Sequence, residues 1–130
     1  MQTTFYIASP FINRFAVREF ASVLIEKGWC WSDNHDWTLK SFAEGPDKSD
    51  PFWNSWAVRD MHAALSADVF ILLLKDKTSA GAHGELCARW ALHRPIFAIR
   101  QGGDDHLFHK LPGIVWFDTI EEWMQATFGP

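Results

Sequence analysis

The stretch from Lys75 to Glu85 has the residue types of a small reaction site. Ser79, Gly81 and Gly84 lead into a predicted helix, Ala82 to His93, whose first turns contain Glu85. Free backbone N–H groups at a helix start bind anions, and glycine lets a phosphate approach the chain closely. The same helix end should keep Glu85 ionised, as a carboxylate nucleophile requires. The plainer reading is that Glu85 is simply a favourable acidic residue of a first helical turn. Asp60, on a predicted helix ahead of an apolar strand, is a second carboxylate for such a site or else a solvated helix charge. Asp68 starts that strand, at the end opposite the site. The histidines at 35, 62, 83, 93, 106 and 109 form no pair at metal-ligand spacing on a helix face, so no metal is expected. Trp31, Trp37, Trp53 and Trp56 could stack on a base, although tryptophans at helical spacing more often fill a core or an interface.

Positioning these residues takes alternating strands and helices. Thr3–Ala8 is a β-branched and aromatic strand ending at Ser9-Pro10. Asn13–Lys27 has helical apolar spacing and stops at Gly28. Trp29–Trp31 reads as a short second strand, and 32–51 as a long polar loop of the kind that covers or binds a ligand. A helix over Phe52–Ser66 precedes Ala67–Leu74, a wholly apolar strand that suits the centre of a parallel sheet. Ile96–Ile99 and Ile114–Phe117 supply a fourth and fifth strand, and Thr119–Phe128 a closing helix capped by Asp118 or Thr119. This pattern predicts an α/β fold, a doubly wound sheet of about five parallel strands with right-handed crossovers. Ligands in such sheets bind beyond the carboxyl ends of the strands, where Tyr6–Asn13, Ser32–Trp37 and Lys75–Glu85 fall.

Composition narrows the class. The 130 residues, 48% of them hydrophobic, suffice for one core and not for two ordinary domains, so residues 1–130 read as one domain. A net charge of −4 without a Lys/Arg cluster argues against a nucleic-acid polymer as partner. The longest apolar run, Val69–Leu74, is too short to span a bilayer, and no membrane partner is expected. Cys30 and Cys87 lack the spacing of a zinc site or a disulfide framework and read as reduced core thiols. The expected compartment is the cytoplasm.

Three segments in order, YIASPF at Tyr6–Phe11, RDMHAALSADVFILLL at Arg59–Leu74 and SAGAHGELCARWALHRPIFAI at Ser79–Ile99, resemble the nucleoside 2-deoxyribosyltransferase family, which includes 2′-deoxynucleoside 5′-monophosphate N-hydrolases. The resemblance covers most of the chain and fails mainly in the 32–52 loop and the carboxyl-terminal quarter. It implies a flavodoxin-like sheet of order 2-1-3-4-5 with helices on both faces. It also implies a Glu that attacks the anomeric carbon of a deoxyribosyl group, with no cofactor. Glu85 in G-x-x-x-E matches that nucleophile, Asp60 a carboxylate near the leaving base, and Tyr6 a tyrosine whose hydroxyl touches the nucleophile. His35 falls roughly where family members contact the base, with a solvated loop histidine as the alternative. Asn13 and Arg14 could reach a phosphate from the first loop, although Arg14 also suits a helix surface. Ser9, Phe11 and Gly81 complete the implied substrate-binding set.

Two departures discriminate within the family. Ser79 stands where transferases carry an Asp for the sugar 5′-hydroxyl and monophosphate hydrolases a Ser for phosphate; a carboxylate there would repel phosphate and a hydroxyl would donate to it. No Asn follows Asn54, whereas transferases often lend a carboxyl-terminal Asn to the neighbouring subunit. Cys87 replaces a common glycine, a packing change. The sequence therefore favours an N-glycosidase acting on 2′-deoxyribonucleoside 5′-monophosphates. Base exchange, TIR-like processing of NAD or ADP-ribose, and a non-catalytic nucleotide-binding module are the alternatives. A small nucleotide or nucleoside is the expected partner. Family habit and the many tryptophans suggest a homodimer or larger homo-oligomer.

Overall fold

The first strand begins with two reciprocal hydrogen bonds: the Thr4 backbone N–H donates to Asp68 Oδ2 at 2.9 Å, and the Asp68 N–H donates to Thr4 Oγ1 at 2.9 Å. Asp68 thereby fixes the register of the two central strands. In this computed structural model, residues 2–39, 50–75, 80–102 and 110–130 are described, those at 50–54 and 80 by their backbone alone. The strands are β1 (Thr4–Ala8), β2 (Cys30–Trp31), β3 (Val69–Leu73), β4 (Ile96–Ile99) and β5 (Ile114–Phe117). All pair in parallel, in the order β2-β1-β3-β4-β5. This is the doubly wound, flavodoxin-like sheet that the strand pattern and the resemblance implied. β3 lies between β1 and β4, and its residues 70–73 are fully buried, which is why its sequence is apolar without alternation.

The helices are α1 (Arg14–Glu26), α2 (Asp50–Ser66), α3 (Ala80–Ala91) and α4 (Ile120–Phe128). In α1 the buried residues Val17, Phe20, Ala21 and Leu24 recur at helical spacing. Trp29 N–H donates to Leu24 O and Gly28 N–H to Ile25 O, with Gly28 at φ 92°, so a Schellman turn delivers the chain into β2. α4 is capped by Thr119, whose Oγ1 accepts from Glu122 N–H at 3.1 Å. Its Trp123 is fully buried, with its ring edge-on to Phe20 of α1, Phe97 of β4 and Phe128.

Several expectations are corrected. Short 3-10 turns at Ser32–Asn34 and Trp37–Leu39 give local order to the start of the predicted loop, and α2 begins at Asp50. The Phe11–Asn13 stretch is also a 3-10 turn, so α1 starts one residue later than expected. β3 is shorter than its apolar run. Cys30 and Cys87 are free but partly exposed rather than core thiols. Among the described residues, no helix is long and apolar enough to cross a membrane.

α3 is anchored by Arg89, which has no exposed surface. Its Nε donates to Pro95 O at 3.0 Å, and its Nη1 donates to Ala64 O, Ala67 O and Leu65 O at 3.1, 2.6 and 3.3 Å. One guanidinium thus satisfies carbonyls at the end of α2 and at the entry to β4. Burial, with Arg94 nearby, draws its pKa down to about 10, which leaves it charged at neutral pH. Replacing Arg89 by Met removes these donors while keeping apolar volume. Because buried carbonyls left unpaired each cost roughly 1–3 kcal/mol, Arg89→Met is expected to lower stability by about 3 kcal/mol or more. Urea denaturation checks this through a lower midpoint at unchanged slope.

Candidate active site

Beyond the carboxyl ends of β1 and β3, side chains from four segments converge on one cavity of about 160 Å³. It is lined by Tyr6, Ser9, Phe11, Trp37, Trp56, Asp60, Gly81, Ala82 and Glu85. β1 contributes Tyr6, whose ring is held parallel to Phe70 at 6.1 Å and edge-on to Trp31 at 6.4 Å. That packing aims the phenol at α3, and the hydroxyl donates to Glu85 Oε2 at 2.6 Å. Burial and the charge of Glu85 push the Tyr6 pKa well above the usual phenol range, so it stays a proton-bearing donor.

Glu85 sits in the second turn of α3, one turn from Arg89 on the same buried side. Burial drives its pKa up to about 8; the Tyr6 hydrogen bond pulls the other way, and the charge of Asp60 adds to the rise. The expectation that the helix end keeps Glu85 ionised is therefore corrected. α3 begins at Ala80, five residues before Glu85, and the helix-end field fades within a turn, whereas desolvation acts on the carboxyl itself. Burial thus favours the protonated, neutral form of Glu85.

Asp60, on α2, faces the same cavity with its side chain 30% exposed. Its Oδ1 is hydrogen-bonded to His35 Nε2. His35 is buried rather than a solvated loop residue, and it lies edge-on to the Trp56 ring at 5.0 Å. It backs Asp60 and does not line the cavity. Trp37 is a buried wall whose indole N–H donates to Ile7 O at 2.8 Å. Trp31 belongs to the core. The Trp53 side chain is outside the described residues.

The first loop is braced from behind. Ser9 Oγ donates to Leu73 O at 2.9 Å, and Asn13 Nδ2 donates to Ser9 Oγ at 3.0 Å and to Lys75 O at 2.8 Å. Ser9 thus lines the cavity, while Asn13 ties the ends of β1 and β3 together and spends its amide there. Arg14 lies outside the lining, 4.6 Å above the ring centres of both Phe11 and Phe15. Gly81, in the first turn of α3, forms part of the wall. Ser79 lies outside the described residues. Sequence reasoning passed over Ala82, whose small side chain leaves room beside Glu85, and nothing in its residue type marks it. A larger hollow of about 580 Å³ between α1 and α4 shares no lining residue with this cavity. It lacks Tyr6, Glu85 and Asp60, so the smaller cavity is the candidate site. Among the described residues, no group of three or more His, Cys, Asp and Glu side chains could hold a metal ion.

A solved structure of a 2-deoxyribosyltransferase from the psychrotolerant bacterium Bacillus psychrosaccharolyticus is similar to this one, with a TM-score of 0.65. The similarity extends over 93% of this chain and 90% of that one at 18% sequence identity, and it is a likeness of fold. The sequence matches no protein-family model and no curated protein.

The raised pKa of Glu85 has a signed effect on stability. In the unfolded chain the carboxyl titrates at about 4.5 and in the folded chain at about 8, so below 4.5 both states hold the proton and no penalty exists. As pH rises from 4.5 to 8 only the unfolded state ionises, and folding loses up to about 1.4 kcal/mol per pH unit. Glu85→Gln removes this dependence. It is expected to be more stable than the parent at pH 8, with the gain shrinking as the pH falls towards 4.5. Parallel stability curves for the two proteins would rule the assignment out.

Proposed function

We propose that this chain is an N-glycosidase that cleaves the base–deoxyribose bond of 2′-deoxyribonucleoside 5′-monophosphates through a covalent glycosyl–Glu85 intermediate. The observation that carries this reading is the convergence of Tyr6, Glu85 and Asp60 on one cavity at the carboxyl ends of parallel strands. The likeness of fold to a deoxyribosyltransferase supports it.

An ionised Glu85 attacks the anomeric carbon as the C–N bond breaks, and the departing base takes up a proton from solvent relayed by the partly exposed Asp60. Asp60 is the carboxyl group on the base side, and His35 holds it in place. Water then attacks the same carbon and gives up a proton to solvent by way of Asp60 as the bond to the Glu85 oxygen breaks, so the sugar is released with its configuration retained and Glu85 is again ionised. Tyr6 donates to Glu85 Oε2 and so steadies the anionic form. Tyr6 cannot supply that negative charge itself because its own pKa is raised. Ser79 supports the phosphate assignment by residue type alone: a hydroxyl donates where a carboxylate would repel. Base exchange is the second reading, favoured by the transferase of similar fold; it differs only in a free base replacing water in the second step.

The deciding experiment incubates the protein with each deoxynucleoside and its 5′-monophosphate, with and without a free acceptor base, beside Glu85→Gln, and separates the products by chromatography. Free base from monophosphates alone, absent in the variant, is the expected result. Exchanged nucleoside appearing only with acceptor would make the chain a transferase, and no product would overturn both readings.

The pH profile gives an independent check, because attack needs an ionised Glu85 with a pKa of about 8. Below that value kcat/KM is expected to rise about tenfold per pH unit, levelling off above it. Tyr6→Phe removes the hydrogen bond that lowers the Glu85 pKa, so its profile should move to higher pH. A profile that stays in place would exclude Tyr6 as the tuning group.

A further inference from the structure

One wall of the cavity is tied to α1 by a chain of contacts outside the reaction site. Thr38, next to Trp37, is fully buried, and its polar groups are all engaged. Its N–H and Oγ1–H donate to Asp36 Oδ1 at 2.9 and 2.5 Å. Its Oγ1 accepts from Arg18 Nε at 3.1 Å, and its carbonyl accepts from Arg18 Nη2 at 2.6 Å. Arg18 lies on the exposed side of α1, where a guanidinium usually points into water; here it is committed to one buried threonine. Trp37 is therefore held from two directions, by Ile7 O through its indole N–H and by Arg18 through the adjoining backbone.

The same array reaches the aromatic ring that touches Trp37 in the cavity lining. The Arg18 guanidinium lies 5.6 Å from the Phe15 ring centre, and Arg14 lies 4.6 Å from those of Phe15 and Phe11. Phe11 and Trp37 both line the cavity, with their ring centres 6.4 Å apart. Stacked cations and aromatics thus run outside the cavity from Phe11 to Trp37 and link the two rings.

From this geometry we infer that Arg18 is a positioning residue that, through Thr38, sets the spacing of Phe11 and Trp37 and so governs which nucleobase the cavity accepts. The inference rests on the reading of this cavity as a nucleotide site. Arg18 touches none of the reacting groups. Its action falls on binding and base choice, while Tyr6, Glu85 and Asp60 keep their arrangement. A planar fork is needed because two acceptors of Thr38 are met at once; a lysine ammonium can satisfy them only as a point donor.

The test measures kcat, KM and melting temperature for the parent, Arg18→Met, Arg18→Lys and the nearly isosteric Thr38→Val, with the four deoxynucleoside 5′-monophosphates. For Arg18→Met, KM is expected to rise about fivefold or more while kcat stays within about twofold, and the spread of kcat/KM among the bases narrows. Arg18→Lys should fall between the two, and Thr38→Val should shift base choice in the same direction. A lower melting temperature with an unchanged spread and unchanged KM would overturn the inference, because that is all a purely structural bond would produce. Calorimetric titration with the same monophosphates separates the two levels of the argument. If the parent binds them without turnover and Arg18→Met binds more weakly with less discrimination, the hydrolase reading falls and the positioning role stands. Equal binding by both proteins, or no binding by the parent, overturns the positioning role.

Discussion

The fully buried guanidinium of Arg89 is the interaction on which the placement of the site depends. It gathers carbonyls from the end of α2 and the entry to β4 onto a single residue of α3. Glu85 lies one helical turn away on the same helix, so whatever seats Arg89 also fixes the depth and rotation at which Glu85 meets Tyr6. A buried charge is costly unless its donors are matched, and here the matching groups are the carbonyls that a helix end and a strand start would otherwise leave unpaired. The positive anchor at one end of α3 and the neutral acid nearer the other are parts of one arrangement.

That arrangement sets stability against readiness to react. Glu85 is desolvated, faces a second carboxylate and is relieved by one phenol hydrogen bond. Such a group resists losing its proton, and positive charge placed beside it would reverse that preference. Asp60 differs in environment, being partly exposed and backed by His35. Two carboxyl groups in such unlike surroundings are held at different protonation tendencies, which the proposed mechanism uses to separate attack from assistance.

Much of the fold could be read in the sequence because its signals are local. β3 is apolar without alternation, α1 buries residues at regular helical spacing, and Gly28 marks the turn after α1. Element ends were less legible, since a strand stops where pairing stops and not where apolar residues stop; β3 is shorter than its run for that reason. Glu85 and Asp60 could be singled out as carboxylates near the strand ends, whereas Tyr6 and the grouping of all three came through the ordered resemblance, since they lie on three separate elements. The protonation of Glu85 was not legible, because it depends on burial created by chain segments far apart. Arg89, Arg18 and Thr38 escaped notice because arginines on helices are usually solvated and a threonine in a polar stretch carries no mark of burial. His35 could be placed near the site, but its partner Asp60, 25 residues away, emerges only in the folded chain.

The reciprocal bonds between Thr4 and Asp68 also bear on how the molecule assembles. These residues are 64 apart in sequence, and the pairing of β1 with β3 closes the loop between them. Because β1 lies between β2 and β3, the sheet has no complete centre until that long-range closure has occurred. Non-local contacts of this kind bring their reward only after the loop entropy has been met, which places the fold among topologies of higher contact order and slower folding. The chain must be extended past β3 before its first strand gains its second neighbour.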